Sequence, residues 1–133
     1  MVKDYILCVD DDRTILMSLR AQLKRHYGDQ YAYEIAESAE EAWEIIDELF
    51  SDGHKVDVVI SDWLMPEVKG DQFLIDLHKV YPDIIKIMLT GQADQSAIER
   101  TKQYGNLAEC FAKPWTIQEL AETIEQAKME QIS

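Results

Sequence analysis

Five residues of this 133-residue chain have side chains that could do chemistry together: Asp10, Asp11, Asp62, Thr90 and Lys113. Each follows a short apolar run. Tyr5–Val9 leads into Asp10-Asp11-Asp12, Val58-Val59-Ile60 into Ser61-Asp62, and Ile84–Leu89 into Thr90-Gly91, while Leu107–Phe111 stops just before Lys113. Runs of this kind read as strands buried on both faces. Open parallel sheets gather their functional groups at the carboxyl ends of such strands. Three carboxylates in one place repel, each pair by roughly 4 kcal/mol at 4 Å and an effective dielectric of 20. A fold bears that only if cations share the site. Lys113 supplies one positive charge, and a divalent metal is the natural source of the rest.

The donors on offer are hard oxygens, with no His or Cys at fitting positions. That set selects Mg²⁺, with Mn²⁺ as the alternative. A carboxylate can attack phosphorus and form an acyl phosphate, while a metal and an ammonium balance charge on the phosphoryl oxygens. Thr90 can donate a hydroxyl hydrogen bond there, and Gly91 lets its backbone N–H approach closely. Taken singly, each residue has a plainer role. Asp10 to Asp12 can start a helix, Asp62 can cap one, Thr90 can end a strand, and Lys113 can simply be solvated. Their joint placement argues for phosphoryl transfer.

The rest of the chain supplies the elements that would hold these groups. Leu16, Leu19, Leu23 and Tyr27 form one helical stripe closed by Gly28. Tyr31–Ala36 reads as a strand near the sheet edge. Ser38 and Glu41 make a capping box for a helix with Ala39, Ala42, Trp43, Ile46, Leu49 and Phe50 inward. After the Ser51–Lys55 turn and the Val56–Ser61 strand, a helix from about Asp71 turns Phe73, Leu74 and Leu77 inward, and Pro82 breaks the chain. Gly91–Gly105 carries only a weak stripe (Ala93, Ala97, Ile98, Thr101), which predicts the least firmly packed helix, closed by Gly105. Thr116 and Glu119 form a second capping box for a last helix with Ile117, Leu120, Ala121 and Ile124 inward and a polar end from Gln126 that can fray. Five βα repeats predict an α/β fold: a parallel sheet in a doubly wound, three-layer sandwich, with strand order 2-1-3-4-5 as one of the common solutions.

Composition bounds the function. The length fits one domain with its own core. With 26 acidic and 13 basic residues the formal charge is −13, which repels a phosphate backbone and argues against direct nucleic-acid binding. Cys8 and Cys110 lie in apolar surroundings without metal-ligand spacing and read as reduced core thiols. There is no leader pattern and no membrane-spanning run, so the expectation is a soluble, cytoplasmic protein with no membrane partner. His26, His54 and His78 share no face and read as surface residues; Met17, Met65 and Met88 read as packing residues. Glu119, Glu122 and Glu125 mark a solvated helix face.

Val-Asp-Asp-Asp (9–12), Ser-Asp-Trp-Leu-Met-Pro (61–66) with Gly70, Leu-Thr-Gly (89–91) and Lys-Pro-Trp (113–115) occur in the order in which the receiver domain of two-component response regulators carries such motifs. The chain resembles that family over essentially its whole length (1–133 as one receiver, whole or the N-terminal part of a longer protein). The resemblance implies a flavodoxin-like fold and a phosphorylated Asp62. It implies Mg²⁺ held by Asp11, Asp62 and the backbone carbonyl of Leu64, with Asp10 acting through the metal's water shell. Thr90, Lys113 and the Gly91 backbone would contact the phosphoryl group, and the Lys113–Pro114 bond would be cis. The phosphoryl donor would be a sensor histidine kinase or phosphotransfer protein. The fourth helix would shift, changing the face it shares with the fifth strand and fifth helix to control an output domain or effector, and a homodimer through that face is possible. Such a domain assists its own phosphorylation and dephosphorylation but is not an enzyme in the usual sense.

The chain departs from the family at Cys110, three residues before Lys113, where an aromatic is usual; Phe111 should face the other way. The resemblance implies that Leu64 and Gln92, which stand where the family flanks the path of the hydrolytic water, tune dephosphorylation, and Trp63 reads as a partly exposed packing residue beside the acceptor. The Thr-Gly-Gln-Ala-Asp (90–94) and Lys-Pro-Trp segments resemble receivers joined to second-messenger enzymes or kinases. The competing readings are a pseudo-receiver that acts by contact alone, a phosphohydrolase, which wants an acid where Leu64 stands, and a flavin carrier, whose phosphate Asp10–Asp12 would repel.

Overall fold

Successive strand residues point to opposite faces, and β1 (Asp4–Val9) obeys this: Ile6 and Cys8 enter one core cluster, Leu7 and Val9 another. In the computed structural model, which describes residues 3–92 and 94–132, four further strands complete a parallel sheet. They are β2 (Ala32–Ala36), β3 (Lys55–Asp62), β4 (Ile85–Thr90) and β5 (Glu109–Ala112), in the order β2-β1-β3-β4-β5. α1 (Arg13–Tyr27) and α5 (Ile117–Ile132) bury Leu16, Leu19, Leu23, Leu120 and Ile124 in the first cluster. α2 (Ala39–Ser51), α3 (Gly70–Val80) and α4 (Gln95–Gly105) cover the other face, where Ala42, Ile46, Phe73, Leu74 and Leu77 are buried. The three-layer sandwich and its strand order are those the sequence predicts. Among the described residues no helix is long and apolar enough to cross a membrane.

The boundaries move where tertiary contacts outweigh local pattern. β4 runs one residue later than expected and includes Thr90. β5 loses Leu107 and Ala108: Leu107 is buried in the connection, and its N–H donates to the Thr101 carbonyl. Gly105 does not terminate α4. It is the last helical residue, packed 3.4 Å from Ile75 of α3 if given a Cβ, and Asn106 takes the left-handed cap instead.

Among the described residues α4 places no buried residue in either core cluster, in keeping with its weak apolar stripe, but a surface contact that the stripe does not predict ties it to α3. Arg100 donates to Asp71 (3.3 Å) and Gln72 (2.5 Å), tying α4 to the first turn of α3, and Ala97, Thr101 and Gly105 are buried. Ala93, placed by the sequence on the same stripe, lies outside the described residues. The end of α5 is pinned rather than frayed. Lys128 donates to Tyr31 (2.7 Å) and Asp57 (3.1 Å), and Gln131 to the Asp83 carbonyl. Ser38 and Thr116 accept from the backbone N–H of Glu41 and Glu119, as capping predicts. Trp43, Leu49 and Phe50 flank the core half-buried.

Two single-residue readings need correction. Met17 is 41% exposed, because its place on α1 faces outward. His78 is half-buried, its Nδ1 enclosed without a hydrogen-bond partner among the described residues, and burial holds its imidazole below the usual range. Cys8 is fully buried, which pushes its thiol up to about 12. Cys110 packs against the α2–α3–α4 side and Phe111 against the α1–α5 side. Phe111 therefore cannot stand in for an aromatic at position 110.

Candidate functional site

The sheet register aligns the strand ends. Asp62 pairs with Leu89 and Thr90 with Ala112, while Trp63 donates to the Leu89 carbonyl and Lys113 to that of Thr90. Asp10 continues β1 by donating its N–H to the Ala36 carbonyl. These backbone bonds bring Asp10, Asp62, Thr90 and Lys113 to one edge of the sheet. Asp10 and Asp62 are nearly enclosed, at 2% and 6% exposure, while Asp11 faces solvent.

The plainer helix-start role goes to one acid only. Asp12 is the N-cap of α1 and accepts from Thr14 and Ile15. Asp10 accepts from the Asp12 N–H at 2.8 Å, which fixes its carboxylate toward the strand ends. Carboxylate oxygens of Asp10, Asp11 and Asp62 lie within 4.8 Å of one another. Lys113 bridges two of them, its Nζ 2.9 Å from Asp62 Oδ1 and 3.1 Å from Asp10 Oδ2. The Lys113–Pro114 peptide is cis.

The electrostatics follow from this crowding. Burial raises the Asp62 carboxyl above its usual range; the Lys113 hydrogen bond opposes the rise and the Asp10 charge adds to it. Burial raises Asp10 as well, against the pull of the Asp12 N–H and Lys113. Burial works against the Lys113 ammonium, but its bonds to Asp62 and Asp10 outweigh that and hold it above the usual lysine range. One ammonium among three acids leaves a net negative, oxygen-lined pocket. That donor set suits a hard divalent cation such as Mg²⁺.

Gly70 shapes the wall behind Asp62. Its N–H donates to the Trp63 carbonyl at 2.7 Å, and a Cβ there would overlap the Asp62 carbonyl oxygen. Only glycine fits this approach. Trp63 is half-buried, as read from the sequence, with Lys69 5.2 Å above its ring and its Nε1 enclosed without a partner among the described residues. Leu64 begins the exposed loop, its side chain 47% open to solvent. Thr90 is buried and accepts from the Gln92 N–H at 2.9 Å. Among the described residues no atom would touch a Cβ on Gly91, so their packing does not demand glycine there.

A sequence profile of the response regulator receiver domain matches residues 6–125. The chain belongs to this receiver family. It is 30% identical over 122 residues to a chemotaxis protein CheY homolog of Campylobacter jejuni, covering 90% of this chain and 88% of the homolog. It is 34% identical over 122 residues to the sensor kinase CckA of Brucella abortus, covering 91% of this chain but only 12% of the kinase. Among solved structures, the signal receiver domain of an HD domain-containing protein of Pseudomonas fluorescens Pf-5 superposes with a TM-score of 0.83. The two are 30% identical and 97% of each chain is covered. Receivers thus occur among these relatives both as nearly the whole protein and as a small part of a longer one.

The sequence finds the acidic groups and Lys113 without aid. It passes over Lys86, which is 1% exposed in β4 and donates to the Ile84 carbonyl at 2.6 Å. A lysine inside an apolar strand was the available signal. It also passes over the Arg100 tie, since Arg100, Asp71 and Gln72 become neighbours only through the packing of two helices.

Proposed function

We propose that this receiver accepts a phosphoryl group on Asp62 from the phosphohistidine of a sensor histidine kinase or phosphotransfer protein. The observation that carries the reading is the Lys113 ammonium held between Asp62 and Asp10, with the Asp11 carboxylate beside them. An Asp62 carboxylate oxygen forms the new P–O bond; the P–N bond to the donor imidazole breaks, and the imidazole nitrogen keeps the electron pair and takes a proton. Lys113 neutralises charge on the transferred group, and the Thr90 hydroxyl and Gly91 N–H donate to its oxygens.

Asp10, Asp11, Asp62 and the Leu64 carbonyl are the groups that would hold Mg²⁺, or Mn²⁺ in its place. Bound there, the ion would offset the charge of the carboxylates and of the phosphoryl oxygens. The added charge at Asp62 then draws on Lys113 and Thr90, and the strain passes to α4. With Cys110 in place of an aromatic, the Arg100 tie between α4 and α3 is the contact that must yield or hold. The α4–β5–α5 face, where Tyr104 is 57% exposed, is the surface we assign to an output domain, an effector or a second copy.

The test is phosphate-affinity electrophoresis after incubation with acetyl phosphate. The expected result is a retarded band that requires Mg²⁺, vanishes with chelator and is absent from Asp62→Asn. An equal band from that variant would exclude Asp62 as the acceptor. The absence of any band with both acetyl phosphate and a phosphorylated histidine phosphotransfer protein would favour a module that signals by contact alone.

A further inference from the structure

We infer that the C-terminal half of α1 and the open edge of β2 form a docking groove for an acidic, extended segment of a partner polypeptide. The groove has a volume of about 850 Å³ and lies between Met17, Arg20 and Lys24 of α1 and the chain entering β2 at Tyr31–Tyr33, with Lys3 also in its lining. Its strands begin there, so it sits at the opposite end of the sheet from Asp62. Strand β1, six residues long, separates the two ends by roughly 20 Å.

Charge identifies the occupant. The chain is strongly acidic overall, yet α1 carries Arg13, Arg20, Lys24 and Arg25 and no acid. α2, by contrast, carries five acids and no base. Arg13 is spent on Glu37 at 3.1 Å. Among the described residues Arg20 and Lys24 make no ion pair; the Arg20 guanidinium only donates to Met17 Sδ at 3.3 Å. Asp4 and Asp29 also line the groove, which leaves Lys3, Arg20 and Lys24 in excess by one charge.

Spacing narrows the chemistry further. Arg20 and Lys24 are one helical turn apart, ~6 Å, close to the ~7 Å repeat of same-face residues in a strand. A nucleic-acid duplex would bring one charge per ~1.7 Å, a density the net negative charge of the chain repels. Among the described residues β2 pairs only with β1, so its other edge offers a row of backbone donors and acceptors to an added strand. Met17 and the tyrosines give apolar wall to the alternate side chains.

An alternating Glu-Val octapeptide, labelled with fluorescein and titrated into the full chain, tests this by anisotropy. Saturable binding should weaken at least roughly tenfold in R20E/K24E and more mildly in R20Q/K24Q. It should fall with added salt and be unaffected by Asp62→Asn, so it stands or falls separately from phosphoacceptance. Amide shifts should concentrate at Met17–Lys24 and Tyr31–Ala36. Absence of saturable binding overturns the inference. So does equal affinity in both folded charge variants, a set of shifts elsewhere, or tighter capture of single-stranded DNA or of a helical acidic peptide at the same residues.

Discussion

Lys113 Nζ lies 2.9 Å from Asp62 Oδ1 although their strands, β5 and β3, are separated by β4. The ammonium offsets only part of the repulsion among three acids. Burial raises both Asp62 and Asp10 above 3.8. A carboxyl raised on folding favours the protonated state, so without metal the wild type should lose stability as pH climbs from 3.8 through those raised values. Lys113 acts in the same direction at higher pH: raised above 10.5, it contributes stability below that value that is lost as pH climbs through its folded value. In chelator at neutral pH, Asp62→Asn should therefore unfold later than the wild type by ~1–2 kcal/mol, a part of the roughly 4 kcal/mol that two like charges cost at 4 Å. Mg²⁺ should stabilise the wild type in urea titrations and the variant much less.

Gly70→Ala should be costly despite its small volume. The new methyl has the Asp62 carbonyl oxygen in its place. Relief demands moving the Asp62–Trp63 backbone or the start of α3, and overpacking of this kind costs about 1–3 kcal/mol. Urea unfolding should reveal that loss, together with reduced phosphoryl uptake. Wild-type stability and uptake would mean the loop relaxes freely.

Lys86 carries a buried ammonium with no carboxylate at ion-pair distance among the described residues, and burial pulls it down from 10.5 to about 8. Below pH 8 the folded and unfolded chains are both protonated and the burial cost is full. Between about 8 and 10.5 the unfolded chain binds more protons, so stability rises with pH. Lys86→Met should abolish that rise and stabilise the protein at pH 7 by ~1–3 kcal/mol. Thermal midpoints across this range separate the two proteins.

Arg100→Ala should act locally. The pair with Asp71 is partly exposed and is worth ~0.2–1 kcal/mol at most, so the global midpoint should barely move. Amides of α4 should exchange faster, and beryllofluoride with Mg²⁺ should produce larger shifts there than in the wild type. Unchanged α4 exchange would remove the tie from the switching account.

Much of this is legible in the amino-acid sequence. The β-branched runs fixed the strands because burial on both faces demands apolar residues at every position, and polar residues at their ends therefore stood out. Local pattern failed where a distant partner decided the outcome. Gly105 looked like a helix stop, yet contact with Ile75 keeps it helical and passes the left-handed turn to Asn106. The weak stripe of α4 hid the Arg100 tie, and the polar tail of α5 gave no sign that Lys128 would reach Tyr31 and Asp57. At the acidic turn, composition could not separate Asp12, the cap, from Asp10 and Asp11.

The most direct test of the central claim is to phosphorylate the protein with acetyl phosphate and Mg²⁺, reduce it with borohydride, and map the product by peptide mass spectrometry. An acyl phosphate is reduced at the residue that bears it, so the account predicts homoserine in place of aspartate at position 62 and nowhere else. Homoserine at position 10 or 11, with position 62 unchanged, would contradict it.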